Sequence, residues 1–225
     1  FEHIGVIVDS NKIMNLFSNQ SELFDGTSSN GTYDAAGDPT AQMLADKINA
    51  GASLINYTGH GSAYGIVTTQ FGNSEVSLLT NHDKLPFFLT VGCSPGQFGG
   101  QTCFAENMQR AGTSNTPYGS IANFMSSINQ YWDEPMEAQD EFNAILRGAK
   151  PSNLKHRLGP LCVDACAQMN DAYNTTSGPN DGSDMTDTWI YFGDPSISLY
   201  TKNVGTLTCS HTSEIGRHAT WYSVN

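Results

Sequence analysis

Short apolar, β-branched runs alternate along this chain with segments whose apolar residues recur at helical spacing. Two of the runs end in glycine-flanked turns. These observations predict an α/β sandwich with a mostly parallel central sheet flanked by helices. The first run, Ile4 to Val8, has the continuous apolar character of a buried strand. Asp9 or Ser10 is placed to cap a following helix with Ile13, Met14 and Phe17 on one face. Residues 25–39, rich in Gly, Asp, Ser and Asn, read as a loop. Thr40 then caps a second helix bearing Met43, Leu44 and Ile48, which Gly51 closes.

Ser53 to Tyr57 forms the next expected strand and runs into Thr58-Gly59-His60-Gly61-Ser62. A short helix near Ser74 to Leu79 leads to a strand over Phe87 to Val91, which ends in Gly92-Cys93-Ser94-Pro95-Gly96. Further helices are expected over Cys103 to Arg110, Glu137 to Leu146 and Pro160 to Tyr173, with strands over Tyr118 to Phe124 and Thr188 to Phe192. After Tyr200 the character changes, and Thr206 to Cys209 and Ala219 to Tyr222 look like β segments. The expected division is a main domain over 1–201 and a β extension or the opening of a further β module over 202–225.

Composition narrows the function classes. A formal net charge of −12 repels phosphate backbones and argues against nucleic acid as a partner. Charged residues make up only 14%, and the many hydroxyl and amide side chains suit an extracellular surface. No run approaches the roughly 18 apolar residues of a membrane helix. The start at Phe1 reads as a processed fragment of something longer. Five cysteines leave at least one unpaired, and none shows paired zinc spacing.

Ligands in open α/β sheets gather beyond the carboxyl ends of the strands. Here two strands end in glycine-flanked reactive residues, Gly59-His60-Gly61 and Gly92-Cys93. Glycine permits tight turns and close substrate approach. A thiol nucleophile needs a base or cation nearby, and His60 would serve as both. On chemistry and position alone, Cys93 reads equally as a small buried hydrophobe and His60 as a satisfied hydrogen-bonding group.

The segment Leu54 to Ser62 resembles the catalytic-histidine segment of the gingipains, a family of caspase-like cysteine peptidases. Leu85 to Cys93, followed by Gln97-Phe98, resembles their nucleophile segment, and the spacing of His60 and Cys93 agrees with the family. Further similar stretches are Pro117 to Ala122, Asn129-Gln130-Tyr131-Trp132, Gln139-Asp140-Glu141, Thr188-Trp189 and Phe192-Gly193-Asp194-Pro195-Ser196. They run in order from about Asn11 to Tyr200, closest to the arginine-specific branch.

The resemblance implies a caspase–haemoglobinase-like fold and a secreted endopeptidase acting on protein or peptide substrates. Cys93 is then the nucleophile, His60 its acid and base, and the N–H groups of Gly61 and Cys93 the oxyanion hole. No cofactor is required for that chemistry, although the family binds structural calcium. The Phe98 carbonyl and Glu106 lie in a segment that resembles one such site. Trp132 and Met136 match pocket positions for the residue before the scissile bond; Trp132 also reads as ordinary core packing. The family's long acidic loop after the first strand is missing, because Val8-Asp9-Ser10-Asn11 passes almost straight into a helix. Asp9, or Asp133 and Glu134 after the tryptophan, would then supply the carboxylate that selects a basic residue. Family members also have an N-terminal subdomain and an immunoglobulin-like module, so other fragments of the same precursor are expected partners.

The shortened loop also leaves open a rival reading, a peptidase-derived structural or adhesive subunit of a surface assembly. A nucleotide-binding domain is set aside for want of a Gly-rich loop with its lysine. Asp181, Asp184 and Asp187 are read as lying in a polar loop without EF-hand spacing. Cys162, Cys166 and Met169 share helical spacing with Leu161, Ala165 and Tyr173 and are expected to face the core, a disulfide between the two cysteines being the second reading. Asn19, Asn30 and Asn174 head N-x-S/T sequences.

Overall fold

The computed structural model describes residues 2–6, 20–23, 37–174 and 181–199. The expected helix after Asp9, the β segments beyond Tyr200, and Asn19 and Asn30 lie outside the described residues. In chain order the elements are β1 (Glu2–Val6), β2 (Gln20–Glu22), α1 (Ala41–Gly51), β3 (Ala52–Thr58), β4 (Gly61–Ser62), β5 (Gly65–Ile66) and β6 (Phe71–Gly72). A 3-10 turn over Glu75–Leu78 precedes β7 (Phe87–Val91), α2 (Phe104–Arg110), β8 (Gly112–Thr113), β9 (Thr116–Pro117) and β10 (Ala122–Ser126). Then follow α3 (Asp133–Leu146), a 3-10 turn over Pro151–Asn153, α4 (Leu158–Tyr173), α5 (Asp181–Thr188) and β11 (Trp189–Phe192).

The main sheet has the order β11-β10-β7-β3-β1-β2. Every pairing in it is parallel except β10 with β11. β4 to β6 make a small antiparallel sheet immediately after His60, and β8 pairs with β9 as a hairpin. Neither was expected from sequence, because two-residue strands carry no readable period.

Alternation along the strands sends side chains into two cores, as a covered parallel sheet requires. On one face Ile55, Tyr57 and Phe88 pack with Leu44 and Ile48 of α1 and Phe104 and Met108 of α2. On the other, Leu54, Phe87 and Leu89 pack with Phe142 and Ile145 of α3 and with Leu158, Leu161 and Ala165 of α4. Phe87 stacks on Phe142 at a centroid distance of 5.5 Å. Each such fully buried side chain stabilises the fold by about 1.5–3 kcal/mol relative to exposure. Helix α1 forms as expected: the Thr40 hydroxyl accepts from the Met43 N–H at 3.3 Å, and Gly51 ends the helix at a φ of +116°.

Three expectations are corrected. The strand expected over Tyr118 to Phe124 begins at Ala122, because residues before it are held in a turn. There Gly119 has a φ of +95° and exchanges hydrogen bonds with the Asn81 side chain, 2.9 Å each way. The polar loop expected around Asp181, Asp184 and Asp187 is helix α5, which buries only Gly182 and Met185 and so leaves a polar surface pattern. Helix α3 starts at Asp133, not Glu137, with two acids in its first turn where they complement the helix dipole.

Candidate active site

Strands β3 and β7 lie side by side in parallel, Thr58 opposite Val91. The pairing continues past their ends, where the Gly59 N–H donates to the Val91 carbonyl at 3.0 Å. His60 and Cys93 therefore leave the same edge of the sheet on neighbouring strands. Their approach depends on missing side chains. A Cβ on Gly61 would sit 2.9 Å from the Cys93 carbonyl oxygen and 3.3 Å from its nitrogen. A Cβ on Gly92 would sit 2.8 Å from the Gly59 carbonyl oxygen. Contacts shorter than 3.0 Å against backbone have no cheap relief, so these glycines set the separation of the two turns.

The residues after β10 close the site from the other side. The Gly92 N–H donates to Gln130 Oε1 at 2.9 Å, and the Ser94 N–H to the Ile128 carbonyl at 2.9 Å. Ser94 itself adopts a φ of +66°, a left-handed conformation costly for a residue with a Cβ. Its hydroxyl donates to Asn129 Oδ1 at 3.1 Å. The Cys93 thiol is half-buried, and its Sγ lies 3.9 Å from the Gln130 carbonyl oxygen. His60 is exposed, and its ring meets the indole of Trp132 edge-on at 5.5 Å. No hydrogen bond joins the imidazole to the thiol, and such pairs commonly tighten only once substrate is bound.

Trp132 is the N-cap residue of α3 and remains 43% exposed, which the reading as core packing does not fit. Asp133, exposed, and Glu134, half-buried, occupy the first turn of that helix. Met136 is half-buried and packs against the core cluster beneath α3. Asp9 lies outside the described residues. Phe98 is exposed on the loop beyond Cys93, its ring against Phe192. Glu106 caps α2: one carboxylate oxygen accepts the Cys103 N–H at 3.1 Å and the other lies 3.6 Å from Arg110. Among the described residues no group of three or more His, Cys, Asp or Glu could hold a metal.

The sequence of peptidase family C25 is matched by residues 7–200. The chain belongs to peptidase family C25. Gingipain R2 of Porphyromonas gingivalis is 41% identical over 163 residues, which are 72% of this chain and 22% of that relative. A Lys-gingipain of the same organism is 30% identical over 177 residues, 77% of this chain and 9% of that relative. The crystal structure of the Arg-specific cysteine proteinase gingipain R superposes with a TM-score of 0.82 at 30% identity, covering 99% of this chain and 53% of that one. A complex of the pro- and mature domains of that proteinase from the same organism superposes with a TM-score of 0.79. The expected caspase-like α/β fold is thus borne out. This C25 chain spans about a fifth or less of the curated relatives it matches, and about half of the crystallised one.

Other groups in this C25 chain take no part in that arrangement. Cys103, the N-cap residue of α2, and Cys162 and Cys166 on the core-facing side of α4 are buried free thiols. Burial pushes all three up, Cys166 to about 11. A cleft of about 990 Å³ lies against α4 and β11, lined by Val163, Trp189 and Tyr191 among others, and includes none of the predicted site residues. Asn174 is engaged at both side-chain atoms by Ser183. What sequence reading missed is the buried support: Tyr57, Gln130, Gln139 and Asn143. For the last two a signal existed, since both amides fall on the face of α3 that carries Ala138 and Phe142.

Proposed function

We propose that this chain is the catalytic part of a secreted cysteine endopeptidase, with Cys93 as nucleophile and His60 as its acid and base. The observation that carries the proposal is the backbone contact between Gly61 and Cys93 at the ends of adjacent parallel strands, with His60 and Trp132 touching beside it. Cys93 gives its proton to His60 and its Sγ bonds to the scissile carbonyl carbon. The developing oxyanion is met by the N–H groups of Gly61 and Cys93, fixed donors of a kind that contribute about 2.7–4 kcal/mol each. The C–N bond then breaks as His60 returns the proton to the leaving amine, giving a thioester. His60 next takes a proton from water, whose oxygen displaces Sγ and releases the acyl product.

Membership of C25, with an Arg-specific proteinase and a Lys-gingipain among its relatives, supports cleavage after basic residues. In this reading Trp132 covers the basic side chain, its exposed indole offering a face to a cation, and Met136 lines the pocket. Asp133, Glu134 or Asp9 supplies the countercharge. The other fragments of the precursor are its partners, as in the pro- and mature-domain complex of the relative. Structural calcium at the Phe98 carbonyl and Glu106 belongs to the same proposal, and would require Arg110 to release Glu106.

A peptide library and a thiol-directed peptidyl inhibitor with a basic terminal residue test the reading together. Hydrolysis after Lys or Arg is expected, with the label on Cys93 and neither signal in Cys93→Ala, which should keep its fold. Hydrolysis after neutral residues would overturn the specificity. Absence of hydrolysis and of Cys93 labelling would overturn the enzyme and favour a structural or adhesive subunit.

A further inference from the structure

We propose that Gln139 is a positioning residue for the dyad: from α3 it holds the end of β3, and with it His60, in register with Trp132. This inference rests on the peptidase reading above. The Gln139 side chain is buried between helix and sheet. Its Oε1 accepts from the Thr58 hydroxyl at 2.8 Å, and its Nε2 donates to the Tyr57 carbonyl at 3.1 Å. A carbonyl can only accept, so the amide has one permitted orientation.

A second buried pair repeats the arrangement one helical turn on. Asn56 donates to Asn143 Oδ1 at 3.0 Å, and Asn143 Nδ2 donates back along its own helix to the Gln139 carbonyl at 2.8 Å. Successive residues at the end of β3, Asn56, Tyr57 and Thr58, are therefore all tied to α3. Tyr57 carries the constraint through the sheet to the opposite face. There its hydroxyl donates to the His60 carbonyl at 2.6 Å, and the same carbonyl accepts the Val67 N–H at 2.9 Å.

Trp132 is the N-cap residue of this same helix α3, two turns before Gln139 and about 10 Å along the axis. The two ends of the connection meet where the His60 ring touches the indole. The apolar contacts of Ala138, Phe142 and Ile145 hold α3 on the sheet but tolerate sliding, because hydrophobic contact is non-directional. Hydrogen bonds to the Thr58 hydroxyl and the Tyr57 carbonyl exist in one register only. Gln139 thus sets where Trp132 stands relative to His60 without touching substrate.

The test compares the full chain with Gln139→Met, Thr58→Val and the double variant. It reads kcat and KM on a basic peptide substrate, Tm, and the quenching of Trp132 emission by the His60 ring. That emission is isolated by subtracting Trp132→Phe, and its quenching is the gain in it on replacing His60 with alanine, which requires the ring to be in contact with the indole. Gln139→Met is expected to lower kcat at least tenfold with KM within twofold, and to remove at least half of the quenching. Thr58→Val should act in the same direction more weakly, and the double variant should be no worse than Gln139→Met. A lower Tm with kcat and quenching unchanged would make the amide purely structural and overturn the proposal. Should Gln139→Met fail to fold, Thr58→Val decides by the same readings. A wild-type chain that hydrolyses nothing overturns the peptidase reading instead, while the quenching comparison still decides the role of Gln139.

Discussion

Replacing Gly61 with alanine tests the geometry of the proposed oxyanion hole directly. The added Cβ would lie 2.9 Å from the Cys93 carbonyl oxygen and 3.3 Å from the Cys93 nitrogen, and both neighbours are backbone. Restoring an ordinary contact of about 3.4 Å requires the two turns to separate by about 0.5 Å, close to the tolerance of a catalytic constellation. Overpacking of this kind costs about 2 kcal/mol, which for a chain of this size lowers Tm by about 4–8 °C. The same displacement pulls the Gly61 and Cys93 N–H groups out of alignment with one oxyanion. Losing most of one donor's 2.7–4 kcal/mol reduces kcat by about 10²-fold. KM should stay within about twofold, because the donors act on charge that exists only in the transition state. Steady-state kinetics on a chromogenic basic peptide, with thermal melts, provide the assay. Gly99→Ala is the control, since a Cβ there meets nothing within 4 Å. A Gly61→Ala protein that melts lower yet keeps kcat within twofold would refute the oxyanion role of this contact; an unchanged melt would refute the contact itself.

Two further outcomes follow from buried groups and from the calcium proposal. Burial lifts Cys166 from 9.0 to about 11 and raises Cys162 and Cys103 in the same direction, so the unfolded chain sheds protons above pH 9 that the folded chain keeps. Their stabilisation is complete below pH 9 and is lost as pH climbs toward 11, by up to about 1.4 kcal/mol per unit for each thiol. Melts between pH 8 and 10 should show this fall, shallower in Cys166→Ala, and a flat profile would contradict the burial. If calcium sits at Glu106, a chelator should lower Tm by about 5–11 °C relative to calcium at 100 times its Kd; no change would remove calcium from the site.

Much of the fold was legible because its signals are local. Thr40 and Gly51 bracket α1, and the continuous apolar run Phe87–Val91 is β7 with the bounds expected. Where local signals compete, reading failed. Tyr118 and Ile121 look like strand residues, but the Asn81 side chain holds the Gly119 turn from 38 residues away. Helix α5 buries too little to leave an apolar stripe, and its Ser, Asp and Thr residues are weak helix formers. The start of α3 was missed although Asp133, Glu134 and Pro135 are ordinary first-turn residues.

The pair proposed for catalysis was marked in the sequence by what surrounds it. Apolar strands ending in Gly-His-Gly and Gly-Cys already place two reactive groups at carboxyl ends of strands, since a strand's direction and its terminus are local properties. Sequence also determined the family, through matched residues running over most of the chain. Only the tertiary structure decided that β3 and β7 are neighbours, that Gly61 lies against the Cys93 backbone, and that α3 carries Trp132 to His60 while Gln139 grips the strand beneath. Those facts depend on pairing and register between residues distant in the chain. Such distances are set by packing and directional hydrogen bonds across the core, which no local stretch of sequence contains.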